Sequence, residues 1–313
     1  MTRLATMRTE AGPRLVAVVD DGAIDVAERL GLAGLPAVRS LDRYLAGGPE
    51  LWNGARDVLH RADGTAHPWD ESDLMAPLQP GAIICGGANF HDHLRETGRA
   101  KPDRVEFFFK SPTTVIGPRD DVRMDPRLSA KYDYEVELGI IIGRAARNVP
   151  VADALSYVFG YCVVNDVSIR DHQIVLDSDG TSHGRFGQGK TFQDACPLGP
   201  WIVTSDELGD PSQLRLSTTV SGELRQQGAM DDAIWSVPDL VTYYSSVLTL
   251  QPGWVIAAGT PGGPALGSDL DLRADPYRRR DGVQRGGYVQ PGQVVECRVD
   301  RIGALANRYV VEE

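Results

Sequence analysis

The chain has 313 residues, 42% of them hydrophobic and 24% charged, the balance of a globular protein that buries its core without metal or disulfide staples. Formal net charge is −11, 32 Lys and Arg against 43 Asp and Glu, which speaks against nucleic acid held through phosphates and against docking on anionic membrane. Apolar runs such as 138–142 fall far short of the ~20 residues of a membrane span, no secretory signal opens the chain, and Cys85, Cys162, Cys196 and Cys297 show no C-x-x-C spacing. A cytoplasmic protein with reduced thiols is expected.

Residues 1–78 read as a small N-terminal domain. Arg14–Val19 is a strand ended by Asp20-Asp21-Gly22, and helical and loop pieces come after it, broken by Pro36, Gly47-Gly48-Pro49 and Gly64. The block carries no cluster of chemically capable residues, so a structural or dimer-contact role is expected. Residues 76–81 form a linker rich in proline. From 79 to 313 short apolar runs dominate: 82–85, 134–142, 161–164, 201–203, 214–220, 254–257 and 294–299. Helices are predicted at 151–158 and 229–247, with a short one near 91–96. No βαβ alternation and no internal repeat is present, which predicts an α+β fold and not a Rossmann fold or TIM barrel.

Four segments carry chemistry. In the strand around Asp133-Tyr134-Glu135-Val136-Glu137, the three acids share one face, ~6.5–7 Å between alternate residues. Three acids so close repel unless a cation neutralises them, and oxygen-only donors suit a hard cation; a wet strand face is the alternative. Asp166, at the end of the apolar strand 161–164, is placed to add a carboxylate, with Arg170 and Gln173 after it at helical spacing; an N-cap role is its alternative. His93 and Glu96 are spaced i, i+3, the arrangement of a carboxylate-held general base, in a segment that also reads as a polar loop tip. Residues 184–191, Gly-Arg-Phe-Gly-Gln-Gly-Lys-Thr, match a phosphate-binding loop letter for letter. The preceding stretch 177–183 reads as loop, and Pro197 breaks any helix begun after the pattern, so the glycines are expected to bend backbone over a pocket with Lys190 pointing in.

Taken in order, Asn89-Phe90-x-x-His93-x-x-Glu96, Phe109-Lys110-x-Pro112, Tyr134-Glu135-x-Glu137-Leu138, Asn165-Asp166-x-Ser168-x-Arg170-Asp171-x-Gln173, Gly189-Lys190-Thr191-Phe192, Gly259-Thr260-Pro261-Gly262-Gly263 and the closing 289–307 segment resemble the fumarylacetoacetate hydrolase family over about residues 82–310. The resemblance implies a mixed β-roll, barrel-like fold for 79–313, usually a homodimer. It implies one divalent cation, commonly Mg²⁺ with Mn²⁺ or Ca²⁺ as alternatives, held by Glu135, Glu137 and Asp166 and chelating a 2-oxo acid. His93 with Glu96 would activate water against the distal carbonyl of an acylpyruvate-type 2,4-dioxo acid, releasing pyruvate and a carboxylic acid. Lys190, with Arg170 and Gln173, would hold the attacked oxygen, and Thr260 the substrate carboxylate. Lys110 joins the substrate contacts, because a chain with four lysines and 28 arginines that keeps lysine at 110 and 190 wants compact charges there. The implied activity is a metal-dependent C–C hydrolase, with decarboxylase, hydratase, dehydratase or isomerase chemistry as the alternative on the same scaffold. Phe90 stands where many members carry Tyr, and 174–188 and 264–288 read as longer than in small pyruvate-cleaving members.

Overall fold

The computed structural model describes residues 3–19, 22–60, 66, 68–176, 182–269 and 287–312. Two sheets dominate. The main sheet runs, edge to edge, through strands Gly22–Asp25, Arg14–Val19, Arg3–Met7, Cys196–Thr204, Val158–Asn165, Val136–Ile142, Val255–Ala257, Ile83–Gly87 and Glu106–Lys110. Two short strands, Leu74–Met75 and Val115–Ile116, attach to it off this path. The second sheet has the order Glu223–Ala229, Arg215–Val220, Val294–Val299, Gly303–Val311, Val122–Met124. Pairing is mostly antiparallel, and neither sheet closes on itself among the described residues. The architecture is mixed α+β with few helices.

The central strands explain themselves by burial. Val136–Ile142 and Val158–Asn165 are buried at every position, and their near-continuous apolar sequences suit strands covered on both faces. Along Val136–Ile142 the alternation separates two cores. Leu138, Ile140 and Ile142 join one cluster with the second sheet and helix Val237–Val247, whereas Ile141 joins another with Leu4, Leu15, Leu30 and Leu41. The first residues of the chain therefore extend the same sheet, Arg3 and Leu4 pairing with Val203 and Ile202. Helix Gly48–His60 lays Trp52 edge-on against Phe159, with ring centroids 5.0 Å apart.

Three expected elements differ. Val151–Tyr157 is 3₁₀-helical, not α-helical. The helix expected over 229–247 begins only at Val237, where Ser236 and Asp239 form a reciprocal capping box. Upstream of it, Glu223–Ala229 is a strand returned by the two-residue turn Ser221-Gly222, both at positive φ (49° and 85°) as a tight hairpin of this hand requires. Ser182–Gly184, expected as loop, pairs with Ile174–Leu176 in a small hairpin. Of the 264–288 stretch, residues 270–286, with Arg278-Arg279-Arg280, lie outside the described residues.

Candidate active site

The site lies where the carboxyl ends of several main-sheet strands meet two short helices and one loop. Asp133 ends a two-residue strand, Glu135 lies in the break after it, and Glu137 is the second residue of the next strand. Asp166 comes directly after the last residue of strand Val158–Asn165 and is tied back by its own N–H to the Glu135 carbonyl, 2.9 Å. Glu135, Glu137 and Asp166 are all buried, with carboxylate oxygens within 4.8 Å of one another.

Cationic side chains converge on them. Lys190 Nζ donates to Glu135 Oε2 at 2.5 Å and Asp166 Oδ2 at 2.7 Å. Lys110 Nζ donates to Asp166 Oδ1 at 2.7 Å and to the Val167 carbonyl at 3.0 Å. Arg170 uses its three nitrogens on three partners: Nε on Asp133 (2.7 Å), Nη1 on Gln173 Oε1 (2.6 Å) and Nη2 on Glu135. Burial by itself would raise the Glu135 pKa, but Arg170 and Lys190 outweigh it and hold the carboxyl well below the usual range. Glu137 goes the other way. Burial first, then the Asp166 and Glu135 charges, push it well above its ordinary value, and it accepts a hydrogen bond from the Gly259 N–H at 2.7 Å. Lys190, disfavoured as a cation by burial, is kept protonated by Asp166 and Glu135, its net shift being upward.

The loop after strand Val255–Ala257 organises the acids from behind. Its N–H groups donate to Glu137 (Gly259), Glu96 (Gly263, 2.7 Å) and both oxygens of Asp133 (Ala265, 2.8 Å; Leu266, 3.0 Å). Thr260 Oγ1 accepts from Gln226 Nε2 at 2.8 Å, which leaves the threonine proton free to point elsewhere. Gly267 cannot carry a side chain, because a Cβ there would lie 2.4 Å from Glu96 Oε1.

Helix His91–Thr97 forms the roof. Asn89, 1% exposed, anchors its approach by bonding Trp235 and Ala258 backbone groups, and Phe90 is fully buried. The helix ends at Gly98 (φ 68°), with Arg99 N–H returning to the Leu94 carbonyl at 3.0 Å, a Schellman motif. His93 has its pKa lowered to about 4, chiefly by burial, with Glu135 opposing and the Arg170, Lys190 and Arg99 charges adding to it. Its Nδ1 is buried and makes no hydrogen bond among the described residues, so Glu96 does not hold that nitrogen; one Glu96 oxygen accepts the Gly263 N–H.

His93, Arg170, Gln173, Lys190, Thr260, Glu135 and Glu137 all line one small cleft of about 40 Å³, on the scale of an ion or a water at ~30 Å³ each. Lys110 stands behind Asp166 and does not line the cleft. The three carboxylates fit a hard divalent cation: they are oxygen donors, buried and mutually close, and Glu137 has no ion pair among the described residues. The phosphate-loop pattern has another explanation. Its helix, Phe186–Lys190, is only five residues long, its lysine is engaged by two carboxylates, and a Cβ on Gly189 would lie 2.3–2.6 Å from Gln173 atoms. The glycine is there for close approach of two helices, not for phosphate.

Sequence reasoning missed Gln226, Asn165 and the anchoring role of Asp133. Asn165 Oδ1 accepts the Glu135 N–H at 3.0 Å; the residue stands in the Asn165-Asp166-x-Ser168 motif, but nothing there marks its contact with Glu135. Gln226 sits in an exposed-looking strand, and nothing local marks it.

The fold is shared with solved structures of known proteins. The model for the C-terminal domain of fumarylacetoacetate hydrolase matches residues 82–310. The chain belongs to the fumarylacetoacetate hydrolase family. Among similar curated proteins, the oxaloacetate tautomerase YisK of Bacillus subtilis is 32% identical over 271 residues, 85% of this chain and 83% of its own. A fumarylacetoacetate hydrolase from the psychrophilic Exiguobacterium antarcticum superposes with a TM-score of 0.79 at 31% identity, over 100% of both chains. Maleylpyruvate hydrolase from Sphingobium sp. SYK-6, solved with manganese(II) and pyruvate, gives a TM-score of 0.73 at 27% identity, over 99% of this chain and 100% of that one. The family level is that of metal-dependent hydrolases and isomerases. Among the described residues, no helix is long and apolar enough to cross a membrane.

Proposed function

We propose that this protein is a divalent-metal-dependent tautomerase of a 2-oxo acid, interconverting its keto and enol forms. The observation that carries this reading is a half-buried histidine, its Nδ1 shielded and without a hydrogen bond among the described residues, on the wall of a cleft that Glu135 and Glu137 also line, with Asp166 beside them in the acid cluster. Similarity to an oxaloacetate tautomerase over most of both chains supports it and points to oxaloacetate as the substrate to try first.

Glu135, Glu137 and Asp166 would hold Mg²⁺ or Mn²⁺, the latter being the ion found with maleylpyruvate hydrolase. Bound there, the cation supplies Lewis-acid polarisation of the 2-oxo group and positive charge beside the substrate carboxylate. His93 takes the proton from C3 in one direction and returns it in the other, while the 2-oxo oxygen gains its proton from solvent on forming the enol and gives it back on forming the keto acid. A neutral imidazole needs no deprotonation before it acts as base. Lys190, held protonated, donates to the oxygen on which negative charge grows. Arg170 acts by fixing Glu135, and Gln173, with its carbonyl engaged by Arg170, presents its amide nitrogen. Thr260, oriented by Gln226, donates its hydroxyl proton to the substrate carboxylate. Lys110 holds Asp166 in place rather than touching substrate. Residues 1–78 serve a structural role, their strands extending one side of the main sheet, and a cytoplasmic homodimer is the working state.

The second reading, C–C hydrolysis of a 2,4-dioxo acid, is favoured by one feature: Glu96 is buried one turn from His93, where a base–water pair would need it. One assay separates the two. Metal-stripped protein is mixed with the enol form of oxaloacetate or with acylpyruvates, before and after adding Mn²⁺, and ultraviolet absorbance is tracked together with pyruvate release. Metal-dependent loss of the enol without pyruvate supports the tautomerase. Stoichiometric pyruvate from acylpyruvates would replace it with the hydrolase.

A further inference from the structure

A second cavity, of about 360 Å³, lies between helix Gly48–His60 and the ends of two main-sheet strands, and it shares no lining residue with the cleft at the acid cluster. Arg144 comes just after strand Val136–Ile142 and Phe159 near the start of Val158–Asn165. Glu137 and Asp166 sit at the opposite ends of the same strands, roughly 20 Å away at ~3.3 Å per residue. The volume is that of a small-molecule pocket, ~300–1,000 Å³, and such pockets favour seams between blocks of structure. Trp52, Phe159 and Tyr44 form an aromatic wall, with ring centroids 5.0 Å apart for Trp52–Phe159 and 6.0 Å for Tyr44–Phe159. Trp52 Nε1 is spent on the Tyr44 carbonyl at 2.8 Å, so the indole offers the cavity only carbon.

Two arginines line the same space, and they differ. Arg56 is neutralised by Asp206 at 2.8 Å. Arg144 meets no carboxylate among the described residues. Its Nε and Nη2 donate to the Ser156 carbonyl at 3.1 and 2.8 Å, Nη2 also reaches the Ser156 hydroxyl at 2.8 Å, and the guanidinium lies 4.5 Å from the Tyr157 ring centroid. These contacts fix the plane of the fork but leave its charge uncompensated, and Nη1 makes no hydrogen bond among the described residues. Tyr44 adds a second polar atom. It is 3% exposed, its hydroxyl makes no hydrogen bond among the described residues, and burial pushes its phenol pKa up, so it remains a donor.

We propose that this cavity is a binding site for an aromatic carboxylic acid, its ring against Trp52 and Phe159 and its carboxylate on Arg144. The ring is called for by walls that present carbon, and a planar carboxylate matches a planar guanidinium. A single negative charge suffices, because Arg56 is already paired and Asp206 would repel a second one. The site requires no metal and is independent of the chemistry assigned to the acid cluster.

Two probes of matched shape, 2-naphthoate and the uncharged 2-naphthamide, test this by titration calorimetry of the full chain with and without Mn²⁺. Wild-type protein is expected to bind 2-naphthoate on the order of 10-fold more tightly than the amide, with the same Kd in both conditions. Arg144→Gln should remove that preference and leave the amide within about twofold. Asn53→Trp, at an exposed helix position lining the cavity, should fill the space and weaken both probes by on the order of 10-fold while leaving Tm unchanged. Equal affinity for acid and amide, or a preference that survives Arg144→Gln, overturns the role of Arg144. Binding of 2-naphthoate only with Mn²⁺, or unaffected by Asn53→Trp, puts the probe elsewhere and overturns the site. Failure of wild-type protein to bind either probe at millimolar concentration overturns it as well.

Discussion

The charged nest around Glu135 and the hydrocarbon seam beneath residues 1–60 are built on the same two strands, yet they obey different rules. In the seam, Ile141, Phe159 and Cys162 meet Leu4, Leu15 and Leu30, and any group of about the right volume satisfies the packing. In the nest, Asp133, Glu135, Glu137 and Asp166 meet Arg170, Lys110 and Lys190 with almost no solvent. Removing one partner there leaves a buried charge with no compensation. A sheet thus tolerates a polar site at its strand ends when buried charges are matched by named neighbours, as Asp133, Glu135 and Asp166 are and as Glu137, among the described residues, is not.

The largest effect should come from a change at the metal position. Glu137→Gln keeps the shape and the Gly259 hydrogen bond but removes a ligand charge. Mn²⁺-dependent thermal stabilisation and turnover should both vanish, the latter by on the order of 1,000-fold, a scale set by losing most of the electrostatic stabilisation at the reacting oxygen. Unchanged Mn²⁺ affinity would remove Glu137 from the ligand set.

Next comes Asp133→Ala, which orphans the Ala265 and Leu266 N–H groups and one face of Arg170. A loss of about 3–5 kcal/mol is expected in urea unfolding, with activity lost as well. A loss under about 1 kcal/mol, within reach of ordinary surface substitutions, would show that Arg170 does not depend on Asp133.

The pH dependence has a definite sign. His93 has a folded pKa of about 4, below its ordinary 6.5, because burial disfavours the imidazolium. Between those values the unfolded chain binds more protons, so His93 contributes stability above about pH 6.5 that is lost as pH falls toward 4. Comparing Tm across that window for wild type and His93→Gln should show a shallower decline in the variant. Parallel curves would place His93 in water.

The smallest effect is in the seam. Ile141→Val should cost about 0.5–1.5 kcal/mol and leave Mn²⁺-dependent stabilisation as in wild type. A change in metal affinity from this substitution would mean the two regions are coupled through the shared strand.

Much of the site was legible because its chemistry is local. Glu135 and Glu137 are two apart in sequence, Asp166 follows an apolar strand, and His93 and Glu96 share a helix, so spacing alone proposes the groupings; the structure brings the first three together in one cluster, with Glu135 in a break just before the strand that holds Glu137. The phosphate-loop pattern was legible as a decoy, though its true reason, Gly189 against Gln173, required seeing the two helices touch. The hairpin through Ser221-Gly222 was not legible, because Glu223–Ala229 is half polar and alternates weakly on an exposed edge.

The amino-acid sequence by itself determined which strands are buried, most of the places where the chain turns and which acids are neighbours along the chain, since these come from apolar runs, glycine and proline, and short spacing. Tertiary structure alone decided the partners. Arg170 finds Asp133 and Glu135, Lys110 finds Asp166, Gln226 finds Thr260, and the loop at 259–266 lends its N–H groups to three separate carboxylates. Those pairs are 34 to 167 residues apart, and no local propensity encodes a contact at that separation. It arises only when burial forces each charged or polar group to take whatever complement the packed sheets bring within reach.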